Sequence, residues 1–224
     1  VNARLLLVAG GVAGLAAWWA LRRPESGELD FTALGAVGAT DDLLGRIVDS
    51  MGYLGMVRVS AMKNLSADVL TNRNVRAMLA VIRRGEGTAG EEGYRTLFGG
   101  KIFAGFADHP RQSVCRTLSN GKTLCSTAAG AYQFLSSTWD ETARAMKLTG
   151  FSPANQDFAA VGRIAARGAL ADVLAGRFDA AVTKLAYEWA SLPGSPYGQP
   201  VISAATARSV YVAAGGTIQG VVLA

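Results

Sequence analysis

A chain of 224 residues, half of them hydrophobic, with 22 Lys and Arg against 17 Asp and Glu, has room for one domain of about 150 residues plus an extension, and a domain of that size buries roughly two-thirds of its unfolded surface. Such a core does not depend on metal or on a dense disulfide framework. The formal charge of +5 suits partners carrying phosphate or carboxylate, but with no block of basic residues and no finger, homeodomain or RNA-binding signature, nucleic acid is not an expected partner.

The chain opens on an uncharged stretch from Leu5 to Leu21, bounded by Arg4 and by Arg22-Arg23. As a helix it would span about 26 Å, slightly short of a hydrocarbon core of roughly 30 Å. Flanking arginines that snorkel, and Trp18-Trp19 at the level of an aromatic belt, make a membrane anchor over residues 1–23 the expectation. A secretory signal or a buried core helix are the alternatives, although no A-x-A cleavage site follows. Gly10 and Gly14 have a spacing that lets two spans approach, but it is common in membrane helices. Arg22 and Arg23 outweigh Arg4 and would hold the bulk of the chain in the cytoplasm. Residues beyond the anchor would then reach the far side of the membrane only if the Gly-rich anchor can leave the bilayer or belongs to a virus particle.

Residues 24–70 read as a connector. Pro24-Glu25-Ser26-Gly27 breaks the chain, and Gly35, Gly38, Gly45, Gly52 and Gly55 punctuate an apolar stretch. It is too apolar for a free linker, so short helices packed on a partner, on membrane or on the next domain are expected.

From residue 71 to 216 the signals sharpen. After a Thr71/Asn72 cap, Val75, Met78, Leu79 and Ile82 fall at i, i+3, i+4 and i+7, giving an amphipathic helix that delivers Glu86 at its C-terminal end. Loops with Gly99-Gly100 and Asp108-His109-Pro110 lead to a hairpin signal at Asn120-Gly121, flanked by Cys115 and Cys125. The two cysteines would face each other across the ladder, as a disulfide in an oxidising compartment or as reduced thiols in the cytoplasm. Only His109 is available to join them, and the spacing fits no zinc site, so no metal or other cofactor is expected.

Ser137-Thr138-Trp139-Asp140 resembles a capping box that opens a helix to about Lys147. Ser152-Pro153 caps the next helix, which stops at Gly168. Asp179 is expected to cap another, carrying Val182, Leu185 and Trp189 to Pro193-Gly194, and a last helix spans about 201–214. The remaining residues, 217–224, read as a tail. This is an α+β pattern, mostly helical with one small β-hairpin.

The segments Ala129-Gly130-Ala131-Tyr132-Gln133-Phe134, Gln156-Asp157, Arg167-Gly168-Ala169-Leu170 and Trp189-Ala190-Ser191-Leu192-Pro193-Gly194 with Tyr197-Gly198-Gln199 resemble the lambda-type phage endolysins, which are lytic transglycosylases of the lysozyme-like superfamily. Glu86-Gly87-Thr88, Gly93-Tyr94, Gly99-Gly100 and Asp108-His109-Pro110-Arg111 match in the same order. The resemblance covers about residues 73–216, and leaves residues 1–70 and the cysteine pair without a counterpart.

The resemblance implies a lysozyme-like fold and Glu86 as an acid that protonates the glycosidic oxygen between N-acetylmuramic acid and N-acetylglucosamine. The same group then accepts a proton as the muramyl 6-hydroxyl closes onto C1, leaving a 1,6-anhydro product. Such an acid needs apolar walls to lift its pKa. Taken alone, Glu86 reads as an exposed helix-end carboxylate beside Arg83 and Arg84. Tyr132 would stack on a sugar face and Gln133 would bond an N-acetyl group, although a tyrosine there also reads as core. Ser191, Tyr197 and, more weakly, Tyr94 are further candidate glycan contacts. His109 invites a general-base role but, before proline, also reads as structural. Asp108, Asp140 and Asp157 could each serve as the second carboxylate of a true hydrolase, and Asp140 and Asp157 equally suit helix starts. The resemblance implies peptidoglycan strands as the partner, while the N-terminal helix, which has no counterpart in it, makes a membrane and other virion proteins the further expected partners. The place of action implied is the periplasmic cell wall, from a virion or the host inner membrane. The competing class is a structural membrane or virion protein that merely grips glycan, and the closer rival is a hydrolytic muramidase.

Overall fold

The computed structural model describes residues 59–117 and 123–219. The expected anchor at 1–23, most of the connector, the Asn120-Gly121 turn and the end of the tail lie outside the described residues. Among the described residues no helix is long and apolar enough to cross a membrane.

Two 3-10 turns, Val59–Met62 and Ala67–Thr71, lead into the domain. Helix α1, Arg73–Gly85, follows directly. The Asn72 side chain accepts from the Asn74 and Val75 amides, satisfying the free donors of its first turn. Val75, Ala77, Met78, Leu79, Val81 and Ile82 are all buried, so α1 is the central helix rather than a surface one. The remaining helices are α2 (Ser136–Met146), α3 (Pro153–Ala166), α4 (Leu170–Leu174), α5 (Phe178–Leu185) and α6 (Ala204–Ala213). Helix α1 packs on α3, α4 and α6, while the turn at Val59–Met62 packs on α2 and α3 and buries Met62. Residues 59–71 therefore lie on the domain, which reaches further toward the N-terminus than the boundary expected at 71. The tail also begins inside it: the Thr217 amide donates to Asn74 and the Gln219 amide to the Gly176 carbonyl.

Between α1 and α2 lies a small β region. Strands β1 (Val114–Thr117) and β2 (Thr123–Ser126) pair antiparallel with Cys115 opposite Cys125, and the two sulfurs are bonded. Isolated bridges join Thr96 to Ile102, Leu97 to Ala129 and Ala129 to Phe134. Beneath them an aromatic cluster forms around Phe151, with Trp139 4.6 Å and Phe103 6.0 Å from it in edge or tilted geometry.

Several expected boundaries change. The capping box at Ser137–Asp140 does not form: Leu135 is the N-cap residue, and the Thr127 hydroxyl oxygen, across from the β region, accepts the Ser136 amide. Asp140 is thereby free to pair with Arg111 at 2.7 Å. Asp179 lies inside the first turn of α5, not at its cap, and pairs with Arg208 of α6. Helix α5 ends at Leu185, before Trp189, because the chain turns there to send Glu188 inward. Helix α6 starts at Ala204, capped by Ser203, and the short α4 was not anticipated.

Candidate active site

Glu86 is placed by the way α1 stops. Its amide still donates to the Ile82 carbonyl, and Gly87 then takes a left-handed conformation (φ 72°) that only glycine adopts without strain, turning the chain away. The carboxyl is thus projected from the helix end into the interior, where the Ser191 hydroxyl donates to its Oε1 at 2.6 Å. Burial pushes its pKa from 4.5 to about 7 against the opposing pull of the Ser191 bond. It is a partly buried carboxyl, not the solvated helix-end group that its sequence neighbours suggest.

Arg83 organises the loop beyond Glu86. Its guanidinium donates to the carbonyls of Thr88, Ala89 and Gly90 and to the Tyr94 hydroxyl, and lies 4.4 Å from the centre of the Tyr94 ring. The Thr88 hydroxyl donates to the Ala131 carbonyl at 2.5 Å, tying this loop to the turn Gly130–Phe134. That turn is closed by reciprocal amide bonds between Ala129 and Phe134 and braced from below by buried Gln156. The Gln156 carbonyl accepts the Ala131 amide, and its own amide donates to Tyr94 and Phe151. Gly130 sits at φ 78° with Gln156 and Phe151 where a Cβ would be.

The expected glycan contacts divide. Tyr132 is 1% exposed, with its hydroxyl on Asp157 at 2.6 Å and its ring 6.1 Å from Phe134. The expectation of sugar stacking is corrected: the ring is core, and it has no open face. Gln133, at φ 47°, spends its amide donors on the carbonyls of Thr96 and Gly130, so those donors brace the turn and do not reach outward. Tyr94 shares Asp157 with Tyr132, and burial foremost raises its pKa to about 12. Tyr197 is half-buried and donates to the Tyr187 carbonyl. Of these candidates, only Ser191 is hydrogen-bonded to Glu86 among the described residues.

The other candidate acids and bases are engaged. The His109 Nδ1 accepts the Arg111 amide, so Nε2 carries the proton and donates to the Phe134 carbonyl at 2.8 Å. This ring is a neutral strut, and burial pushes its pKa down. Burial works against Asp108, but bonds from His109, Arg111 and Trp139 hold it below the usual range, and Arg111 does the same for Asp140. Asp157 goes the other way: burial outweighs the bonds from Tyr132 and Tyr94 and raises it. It is a bridge between the two tyrosines, not a helix-start residue.

Sequence reasoning missed a buried ion cluster three residues before Ser191 in the chain. Glu188 is 2% exposed and accepts Arg163 Nε at 2.7 Å and Arg167 Nε at 2.7 Å, while Arg163 also reaches Glu141. The signal available was Arg163 in the apolar second half of α3 and Arg167 one turn on, just past its end, together with an acid directly before Trp189.

The family model described as Endolysin matches residues 76–218. The chain belongs to the endolysin family. It is 37% identical over 154 residues to the endolysin of Escherichia phage lambda, covering 66% of this chain and 95% of that protein. With the endolysin of Escherichia phage P2 it shares 36% over 157 residues, covering 65% and 95%. Among solved structures, bacteriophage lambda lysozyme complexed with a chitohexasaccharide superimposes with a TM-score of 0.61 at 36% identity, over 66% of this chain and 97% of that one. A second lambda lysozyme structure gives 0.58. The lysozyme-like fold, mostly helical with a two-stranded sheet, is therefore shared with endolysins of known structure.

Proposed function

We propose that this member of the endolysin family degrades peptidoglycan as a lytic transglycosylase, with Glu86 as its single acid and base. The observation that carries the reading is a carboxyl whose burial raises it to about 7, within the segment that the endolysin family model spans. In the protonated form, Glu86 gives its proton to the glycosidic oxygen between N-acetylmuramic acid and N-acetylglucosamine as the bond to C1 breaks. The ionised carboxylate then takes the proton of the muramyl 6-hydroxyl as that oxygen bonds to C1, so the ring closes without water and the carboxyl is regenerated. A pKa near the working pH serves both halves. A hydrolase would use a second carboxylate to direct water, and Asp108, Asp140 and Asp157 are each taken up by Arg111 or by tyrosines.

Product mass tests this: the anhydro product is expected, lighter by one water than the product of a hydrolytic muramidase, and the heavier product would overturn the transglycosylase assignment. Glu86→Gln is expected to abolish release while wall binding survives, and full activity in that variant would remove Glu86 from the chemistry. For the N-terminal stretch Leu5–Leu21 the proposed role is a membrane tether that holds the enzyme at the wall, in a host inner membrane or a virion. Its length, flanking arginines and tryptophans support this.

A further inference from the structure

Ser191 falls in a motif that suggested a sugar contact, yet its hydroxyl proton is committed to Glu86. A serine hydroxyl has one donor. Resting on the reading of Glu86 as the acid, we propose that Ser191 is its positioning residue, holding Oε1 in place and supporting the ionised form through the second half of the cycle, with Gly85 leaving the room that seats it.

Independent features of the molecule converge on this hydroxyl. Gly85 is the last residue of α1 and does not have a positive φ, so its conformation does not call for glycine. Its smallness does have a use: a Cβ there would lie 2.5 Å from Ser191 Oγ. The bare backbone is what lets Ser191 come close enough to reach the next residue's carboxyl. From the other side, the Ser191 backbone is held directly at its carbonyl, and the residues just before it are anchored in turn. The Ile202 amide donates to its carbonyl at 2.9 Å, Trp189 Nε1 donates to the Tyr132 carbonyl at 3.2 Å, and Glu188 is held by Arg163 and Arg167. A hydroxyl mounted in this way delivers its donor to one point.

The charged side chains around Glu86 are turned elsewhere. Arg83 faces the carbonyls of Thr88, Ala89 and Gly90, Arg84 is exposed, Asp157 faces Tyr94 and Tyr132, and Glu188 faces its arginines. Burial and the Ser191 bond are thus what move the carboxyl, in opposite directions. Because a hydrogen bond to a carboxylate is stronger than one to the neutral acid, Ser191 favours the ionised form that takes the 6-hydroxyl proton. Burial alone would leave a good acid that is slow to become a base.

The test is the pH dependence of kcat on a soluble wall fragment for Ser191→Ala, Gly85→Ala and the double variant, with the Glu86 side-chain carboxyl titrated in parallel by carbon-13 NMR. The alkaline limb should stand near 7 in the natural protein. In Ser191→Ala it should move up by about one unit, and the NMR titration should move with it. Gly85→Ala should give the same shift by displacing the hydroxyl, and the double variant no more than either alone. A limb and a titration that stay in place in Ser191→Ala, with only KM raised, would make Ser191 a sugar contact and overturn the proposal, as would additive shifts. If Glu86→Gln is inactive while Ser191→Ala titrates normally, only this proposal fails. If Glu86→Gln remains active, it is the acid assignment that falls.

Discussion

Glu86→Gln should change stability as well as activity, and in a pH-dependent way that isolates the carboxyl. The group's pKa rises from 4.5 to about 7 on folding, so between those values the folded chain holds a proton that the unfolded chain has released. The sign follows: full stability is present below 4.5, is lost as pH rises toward 7, and stays lost above it. A shift of that size amounts to about 3 kcal/mol at pH 8. Glutamine does not titrate and keeps nearly the same volume. Thermal melts at pH 4 and pH 8 should therefore bring the variant and the natural protein close together at pH 4 and separate them at pH 8, with the variant higher by about 6–12 °C for a domain of this size. Every other titrating group is common to both proteins, so the change in the gap between the two pH values reports Glu86 alone. An equal gap at pH 4 and pH 8 would refute the argument, because it would mean the carboxyl is as well solvated folded as unfolded.

Gly130→Ala should cost more than 2 kcal/mol in urea unfolding at roughly the scale expected of a left-handed strain plus a core clash, since φ is 78° and the new Cβ would meet the Gln156 carboxamide and the Phe151 ring; a near-neutral result would mean the turn relaxes freely. Met62→Ala should cost about 2–4 kcal/mol because Met62 is buried against α2 and α3. An unchanged midpoint would show that residues 59–71 are not integral to the domain.

What could be read in the sequence was local or pairwise. The Asn72 cap, the apolar periodicity of α1 and its delivery of Glu86, the Ser152-Pro153 start of α3 and the facing cysteines each rest on a spacing of a few residues, and each stands in the structure. What could not be read depends on groups brought together from far apart. Thr127 replaces a cap that Ser137 was expected to supply. Tyr132 looks like a sugar platform in a Gly-Ala-Tyr-Gln-Phe string, and only Asp157, 25 residues on, shows that its ring is turned into the core. Glu188 could not be read as buried from its own segment alone, because the arginines that make burial tolerable lie 25 and 21 residues away, in α3 and just past its end.

These misses have a common physical cause that bears on the site itself. A buried charge is sustained only when its partners satisfy it, so the Glu188 carboxylate can sit inside the domain only with Arg163 and Arg167 around it. Glu86, by contrast, is a partly buried carboxyl whose hydrogen-bond partner among the described residues is the Ser191 hydroxyl, not a cation. The same interior therefore surrounds one acid with cations and leaves the other facing a neutral hydroxyl, its pKa raised to about 7. That difference comes from which neighbours the fold supplies, and it is what favours Glu86 over Glu188 as the group proposed to give up a proton and take one back near neutral pH.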